Sequence, residues 1–147
     1  MRSAPHAPEH ALEVELPFLQ ALLPSFAIVP LLVGDARPQE VAAVLDRLWD
    51  GPETLIVVSS DLSHFHDYET AQRRDAGTAA AIERGAWASL GPGEACGHLA
   101  IAGLLVGAAR RGLGARRLAL CNSGDTGGPR DRVVGYGAWL FADDGRS

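Results

Sequence analysis

The chain has 147 residues, of which 47% are hydrophobic, and this is enough for one domain with a buried core. Thirteen basic and eighteen acidic residues give a net charge of -5, and no run of Lys and Arg is long enough to follow a phosphate backbone, which argues against nucleic acid as a partner. No stretch approaches the ~20 apolar residues that cross a bilayer, and residues 1–10 lack the pattern of an export signal, so we expect no membrane partner.

The two cysteines, Cys96 and Cys121, bear on the compartment. In a chain without an export signal, two thiols are more often reduced than paired, and cysteine then serves packing, metal binding or catalysis. We therefore expect a cytoplasmic protein.

The first predicted helix spans residues 10–23, where leucines recur at helical spacing while glutamates lie off that stripe. Pro17 lies within it and predicts a kink or the start of a second segment, because proline removes a backbone hydrogen bond. Residues 1–8 show no periodicity, so we expect no regular structure there.

A strand, a helix and a second strand are predicted next. Residues 27–33 are an apolar run in which Pro30 indicates an edge strand or a bulge, and residues 38–49 place apolar side chains on one helical face. Residues 55–58, Leu-Ile-Val-Val, predict a strand buried on both faces. Two strands joined by a crossover helix predict a parallel pair, and hence an α/β fold with a mixed, mostly parallel sheet flanked by helices.

Two further helices and two further strands are predicted after that. The helices span residues 68–84 and 99–111, and the strands span residues 117–121 and 133–141. Gly85 and Gly112 follow the helices and are expected to end them. Residues 122–132 are rich in Gly and Asp and follow no phosphate-binding spacing, so we expect a flexible loop.

A polar cluster follows the predicted strand at residues 55–58. In open α/β sheets, ligands bind beyond the carboxyl ends of the strands, and we therefore place the candidate site here. The residues at that point are Ser59, Ser60, Asp61, Ser63 and His64. The alternative interpretation is that the Ser and Asp residues only cap the next helix and that His64 is a solvated loop residue.

Cys96 is a second candidate. It follows a Gly-Pro-Gly break at the predicted start of a helix, where unpaired backbone amides favour a thiolate that could bind a metal or act as a nucleophile. Free cysteine is equally often a buried and inert residue, and His98 could serve in its place.

Two histidine–acid pairs, His10 with Glu13 and Asp61 with His64, share the i, i+3 spacing that brings side chains together in a helix. Neither pair is a metal motif by itself. The common zinc, phosphate-loop and serine-hydrolase motifs do not occur in the sequence, so these pairs carry no specific chemistry on their own.

Four stretches in matching order resemble the Memo family, also called the protein B component of the AmmeMemoRadiSam set. They are Glu-His-Ala-Leu-Glu-Val-Glu-Leu-Pro-Phe-Leu-Gln at residues 9–20, Val-Val-Ser-Ser-Asp-Leu-Ser-His at 57–64, Ala-Cys-Gly at 95–97, and Asn-Ser-Gly-Asp at 122–125 with Val-Val-Gly-Tyr at 133–136. That family is similar in fold to the class III extradiol dioxygenases, so the resemblance implies an α/β core of the extradiol dioxygenase type. It also implies one iron or copper ion held by two histidines and a cysteine.

The resemblance assigns roles to four residues. His10 and Cys96 match two of the metal ligands, and Asp61 and His64 match a pair that lines the same pocket. In the dioxygenase relatives the acid/base histidine stands at the position of His64. The first ligand histidine of the family, in a Pro-His-Ala-Gly-Tyr motif, has no counterpart, and we treat Pro-His-Ala at residues 5–7 as a coincidence because it lacks the Gly and Tyr and lies too close to His10.

The missing histidine predicts that residues 1–147 form a single Memo-like domain that lacks the N-terminal part of the family fold. Such a chain would be a truncated reading frame or one half of a split protein. We then expect an uncovered apolar edge of the sheet, which favours self-association or a partner segment.

Two functions follow from the resemblance. The first is an oxidoreductase in which bound iron or copper carries out redox or oxygen chemistry on a small-molecule substrate, with Asp61 and His64 as catalytic residues and a radical enzyme and an AMMECR-like protein as pathway partners. The alternative is a metal-binding adaptor without turnover that recognises a protein partner. A third hypothesis is a cysteine-dependent hydrolase that uses Cys96 and His64.

Overall fold

The computed structural model describes residues 10–143, which fall into two units, residues 10–34 and residues 35–143. The segment at residues 1–8, expected to be irregular, and the Pro-His-Ala stretch within it lie outside the described residues.

The first unit contains helix α1 (Ala11–Leu22), as predicted. The helix runs through Pro17, so the expected second segment does not form. None of its residues is buried, and Phe18 and Leu22 are 69% and 80% exposed. The strand predicted at residues 27–33 is wrong, because Pro30 has no N–H to donate and no strand among the described residues pairs with this stretch.

The second unit combines helices with a three-stranded sheet. Its helices, which confirm three predictions, are α2 (Pro38–Leu48), α3 (Tyr68–Glu83) and α4 (His98–Arg110). Its strands are β1 (His64–His66), β2 (Leu113–Asn122) and β3 (Val133–Asp143), in the order β1-β3-β2. Short 3-10 turns occur at Trp87–Ser89 and Ser123–Asp125. Within residues 10–143, none of the helices combines the length and apolar character needed to cross a lipid bilayer.

The sheet is antiparallel at both of its strand pairs, so the expected mostly parallel sheet is wrong. β2 and β3 are neighbours joined through residues 123–132, and a connection this short returns the chain in the antiparallel direction. The predicted strand at residues 55–58 also does not form, and Leu55 and Val57 are 68% and 48% exposed. Its β-branched composition is not sufficient, because strand structure requires hydrogen bonds to a neighbouring strand and none runs beside it in the described chain.

The helix ends follow local chemistry. Asp67 precedes α3, and its carboxylate accepts the Thr70 N–H at 2.9 Å. Pro38 occupies the first turn of α2, where a missing N–H costs nothing. Gly85 and Gly112 lie just beyond α3 and α4, both with φ of 67°, a left-handed backbone that glycine adopts without a steric penalty. Both predicted helix ends are therefore confirmed.

The core of the second unit forms between the helices and the segment that precedes β1. Its buried cluster consists of Leu62, Ile82, Ala95, Ile101 and Leu105. Leu62 also donates its N–H to the carbonyl of Gly135 in β3, and Gly135 donates its own N–H to the carbonyl of Ser63, each at 2.9 Å. The stretch that carries the polar cluster is thus held by side-chain burial and by backbone bonds to β3.

A buried carboxylate of α3 fixes the same stretch. Asp75 is 2% exposed, and its Oδ1 accepts the N–H of Ser63 at 3.0 Å. The backbone of Gly135 lies against this carboxylate, and a Cβ on Gly135 would lie 2.6 Å from Asp75 Cγ. This contact leaves space for no residue larger than glycine at position 135.

The loop between β2 and β3, expected to be flexible, begins with an ordered 3-10 turn. Tyr68 donates its hydroxyl to Asp125 Oδ1 at 2.5 Å, and the Asn122 N–H donates to Asp125 Oδ2 at 2.8 Å. The guanidinium of Arg130 lies over the Tyr68 ring, 4.4 Å from its centroid. The hydrogen bond from Tyr68, followed by that from Asn122, lowers the pKa of Asp125.

Replacing Asp125 by asparagine is expected to lower stability at neutral pH and to have a smaller effect at acid pH. Because the folded chain holds the pKa of Asp125 below its unfolded value of about 3.9, the carboxylate stabilises the fold fully above that pH. This stabilisation is lost as the pH falls through the lower folded pKa. Urea midpoints of parent and Asp125→Asn should therefore differ at pH 7, and the difference should shrink as the pH is lowered to 3 and falls toward the lowered pKa.

The matched control for this change is Asp131→Asn in the same loop, since Asp131 forms no hydrogen bond with any residue of the described chain. It should leave the midpoint unchanged at both pH values. A gap between parent and Asp125→Asn that is the same at pH 3 and pH 7 would contradict the assignment.

Candidate functional site

Asp61 and Cys96 lie together although 35 residues separate them in sequence. The Asp61 N–H donates to Cys96 Sγ at 3.2 Å, and the Cys96 N–H donates to the Asp61 carbonyl at 3.3 Å. Ala95, the residue before the cysteine, is fully buried in the core and anchors this turn. Cys96 itself is exposed, so its thiol is held in place and open to solvent.

Ser60 adds a second connection between the two stretches. Its hydroxyl donates to the Asp61 carbonyl at 2.7 Å, accepts the Gly97 N–H at 2.8 Å and lies 3.5 Å from Cys96 Sγ. Gly97 packs so closely here that a Cβ on it would lie 2.8 Å from Ser60 Cβ. Residues 60–61 and 96–97 are therefore joined by backbone and side-chain hydrogen bonds in a small area.

His64 completes the group through the carboxylate of Asp61. Its Nε2 lies 3.3 Å from Asp61 Oδ2, and the side chains of His64 and Asp61 are 30% and 48% exposed. The i, i+3 spacing does bring these two residues together. The two side chains meet in the segment that leads into β1, and not within a helix.

Phe65, next to His64, has an unusual backbone. It is the one non-glycine residue with a positive φ in the described chain, at 63°, and the pairing of β1 with β3 is irregular between His64 and His66. A bulky residue in this conformation is strained, and Arg132 lies over its ring at 4.2 Å. Bulges and backbone strain of this kind concentrate at functional sites, which favours placing the site here.

Tyr136 is a neighbour of Asp61 to which sequence reasoning gave no role. Burial raises the pKa of its phenol, and the negative charge of Asp61 raises it further. The available signal was its position in Val-Val-Gly-Tyr at residues 133–136. That stretch pairs with residues 62–66, so its last residue falls beside Asp61.

The capping interpretation of the polar cluster is wrong. The residue that caps α3 is Asp67, and the N-cap position of α4 is Gly97, so Ser59, Ser60 and Asp61 cap neither helix.

The thiols of Cys96 and Cys121 are both free, as expected.

Two other histidines, His98 and His10, were also candidate ligands. His98 opens α4, and its Nδ1 donates to the carbonyl of Ala95 at 3.2 Å. His10 precedes α1 in the first unit, where its Nδ1 lies 2.5 Å from Glu13 Oε1 and this contact lowers the pKa of Glu13. The second predicted i, i+3 pair thus also meets. His10 and the group around Asp61 belong to different units.

The donor set of the described chain falls short of a three-ligand metal site. Within residues 10–143, no three His, Cys, Asp or Glu side chains are grouped closely enough to hold a metal ion. The second unit provides the Cys96 thiol and, beside it, the Asp61–His64 pair. These residues do not by themselves fit the complete two-histidine, one-cysteine site that the resemblance implies.

An exposed thiol tied to a carboxylate–imidazole pair, on a framework of helices and a small sheet, defines an α/β protein with a Cys/Asp/His candidate site. A family model described as "Memo-like protein" matches residues 1–140. The chain belongs to the Memo family.

Several curated relatives are described as MEMO1 family proteins. The chain is 37% identical to a "MEMO1 family protein" of Aeropyrum pernix over 145 residues, covering 90% of this chain and 52% of the relative. It is 34% identical over 141 residues to one of Thermotoga petrophila, covering 89% and 50%, and 31% identical over 149 residues to one of Saccharolobus solfataricus, covering 92% and 52%. The chain spans about half the length of these relatives.

Proposed function

We propose that this chain contributes to a Memo-type site for a single iron or copper ion, with His10 and Cys96 as ligands and Asp61 and His64 lining the pocket. One observation carries the proposal. Asp61 bonds to the Cys96 sulfur through its N–H, at 3.2 Å, and contacts His64 through its carboxylate, at 3.3 Å. The same residue therefore sets the positions of the sulfur ligand and of the imidazole.

The donor types support the choice of metal. A thiolate is a soft ligand, and together with imidazole it favours copper(I) or a covalent iron site over the carboxylate-rich sites that prefer magnesium or calcium. His10 also has a neighbouring carboxylate, Glu13, of the kind that orients a metal-binding imidazole. Because no three His, Cys, Asp or Glu side chains within residues 10–143 are grouped closely enough to hold a metal ion, the proposed site requires donors beyond those that the structure groups together.

The bound ion would supply redox or oxygen chemistry, and a small molecule is the proposed substrate. The proposed role of this chain's residues is to transfer protons beside the ion. With Nε2 of His64 directed at Asp61, the Nδ1 atom has no hydrogen bond in the described chain and can exchange a proton. A radical enzyme and an AMMECR-like protein are the proposed pathway partners.

Cys96→Ser is expected to lower the affinity for iron or copper by at least about 100-fold, since changes outside the ligand shell already cost about 10- to 100-fold. The parent chain, purified without oxygen, should retain up to roughly one ion. The measurement is metal content after purification, together with competition titration against a chelator of known affinity.

The matched control is Cys121→Ser, which removes the other exposed thiol and should leave metal content unchanged. His64→Gln should also retain nearly all of the metal, whereas loss of metal in that variant would make His64 a ligand. Equal metal content in the Cys96 and Cys121 variants would contradict the proposal. Metal binding without any oxygen-dependent or substrate-dependent turnover would favour the adaptor role.

A further inference from the structure

We propose that Ser60 is a positioning residue that holds the Cys96 turn against Asp61 and thereby sets where the thiol points. The inference rests on the proposed function in one respect, because a fixed position of the Cys96 sulfur matters for metal binding only if that sulfur is a ligand. Its geometry stands independently of any metal. Nothing in the resemblance assigns a role to this serine.

The hydroxyl of Ser60 both donates and accepts a hydrogen bond in this connection. Its single hydrogen goes to the Asp61 carbonyl, at 2.7 Å, so the oxygen is free to accept the Gly97 N–H at 2.8 Å. The N–H that donates to Cys96 Sγ is that of Asp61, at 3.2 Å. Ser60 therefore acts on the thiol by fixing the backbone on both sides of it, and not as a donor to sulfur.

Gly97 is the other half of this connection. Its φ of -91° is open to any residue, so the backbone conformation does not require glycine. The packing does require glycine, because a Cβ at position 97 would lie 2.8 Å from Ser60 Cβ and 3.1 Å from the Ser59 carbonyl oxygen. An alanine at 97 would push the cysteine turn away from Ser60 without removing the hydroxyl.

The first experiment measures the rate at which iodoacetamide alkylates Cys96 in the metal-free full chain. Cys121→Ser is the background, so that a single thiol reacts. Ser60→Ala should change the rate about three- to tenfold, the scale of one lost hydrogen bond, because the Asp61 N–H that donates to Cys96 Sγ is no longer held in place. Ser60→Thr keeps the hydroxyl and should restore the rate toward that of the parent.

Two further variants keep this test decisive. Ser59→Ala is the matched control, since the side chain of Ser59 forms no hydrogen bond in the described chain, and it should leave the rate unchanged. Gly97→Ala disturbs the same contact by a different route and should change the rate in the same direction as Ser60→Ala. Its effect should not add fully to that of Ser60→Ala, because both changes break one contact. Unchanged rates in Ser60→Ala and Gly97→Ala would overturn the inference.

The second experiment uses cobalt(II) as a spectroscopic probe. Thiolate-to-cobalt absorption per bound cobalt should fall in Ser60→Ala and recover in Ser60→Thr, because a displaced sulfur overlaps less with the metal. Unchanged absorption in Ser60→Ala would count against the positioning role. If the parent itself binds cobalt without thiolate absorption, Cys96 is not a ligand and the proposed function fails, while the alkylation rates still decide the role of Ser60.

Discussion

Replacing Leu62 by alanine is expected to destabilise the second unit by about 2 to 5 kcal/mol, the range for a leucine truncated in a packed core. Leu62 is 2% exposed and belongs to the central buried cluster. The lost side chain leaves a cavity that the surrounding helices cannot fully close. Since Asp61 directly precedes Leu62, the same change should also loosen the hydrogen bond to Cys96. Urea unfolding followed by circular dichroism measures the loss.

Leu55→Ala is the control for this prediction. It deletes the same atoms seven positions upstream, at a side chain that is 68% exposed, and should change stability by no more than about 0.5 kcal/mol. Equal losses at both positions would mean that Leu55 is buried after all, as the predicted strand required. If Leu62→Ala does not fold, Leu62→Met keeps the volume and should cost less than about 1.5 kcal/mol.

Replacing Gly135 by alanine is expected to cost at least about 2 kcal/mol, although it adds a single methyl group. The new Cβ would lie 2.6 Å from Asp75 Cγ, and Asp75 is buried, with a relative exposure of 2%. The carboxylate would have to move and lose the Ser63 N–H that it accepts at 3.0 Å. A buried amide would then be left without a partner. The free energy of unfolding from urea titrations checks the prediction.

Gly77→Ala, in the same unit, is expected to raise the free energy of unfolding. Gly77 lies in α3 with nothing within 4 Å of its Cβ position, so alanine there should stabilise the helix by up to about 1 kcal/mol. A double-mutant cycle with Asp75→Ala tests the cause at Gly135, because removing the carboxylate makes space for the methyl group. If Gly135→Ala costs the same with and without the Asp75 carboxylate, the clash is not the reason.

These two predictions concern the scaffold beneath the candidate site. Leu62 and Gly135 hold residues 61–64 from the core side and from β3, while Asp75 holds them from α3. A half-exposed group such as Asp61 keeps a defined position only because its neighbours on the chain are rigid. We therefore expect stability and the affinity of the proposed metal site to fall together in variants of this scaffold.

The sequence by itself determined the helices and their ends. Apolar spacing gave α1 to α4 within a few residues, and Gly85 and Gly112 marked two ends correctly. A helix forms its hydrogen bonds within one stretch and is capped by adjacent residues, so the signal is local. Short motifs also indicated the family, and they identified Asp61, His64 and Cys96 as candidate site residues from the sequence alone.

Only the tertiary structure decided how the strands pair and how the candidate residues meet. Residues 27–33 and 55–58 have strand composition but no partner strand in the described chain, and the strands that do form pair antiparallel. The contact between Asp61 and Cys96, the connection through Ser60 and the position of Tyr136 likewise join stretches far apart in sequence. The physical reason is common to all of them. Strand pairing and side-chain contacts depend on which distant segments the core brings together, and no window of sequence contains both partners.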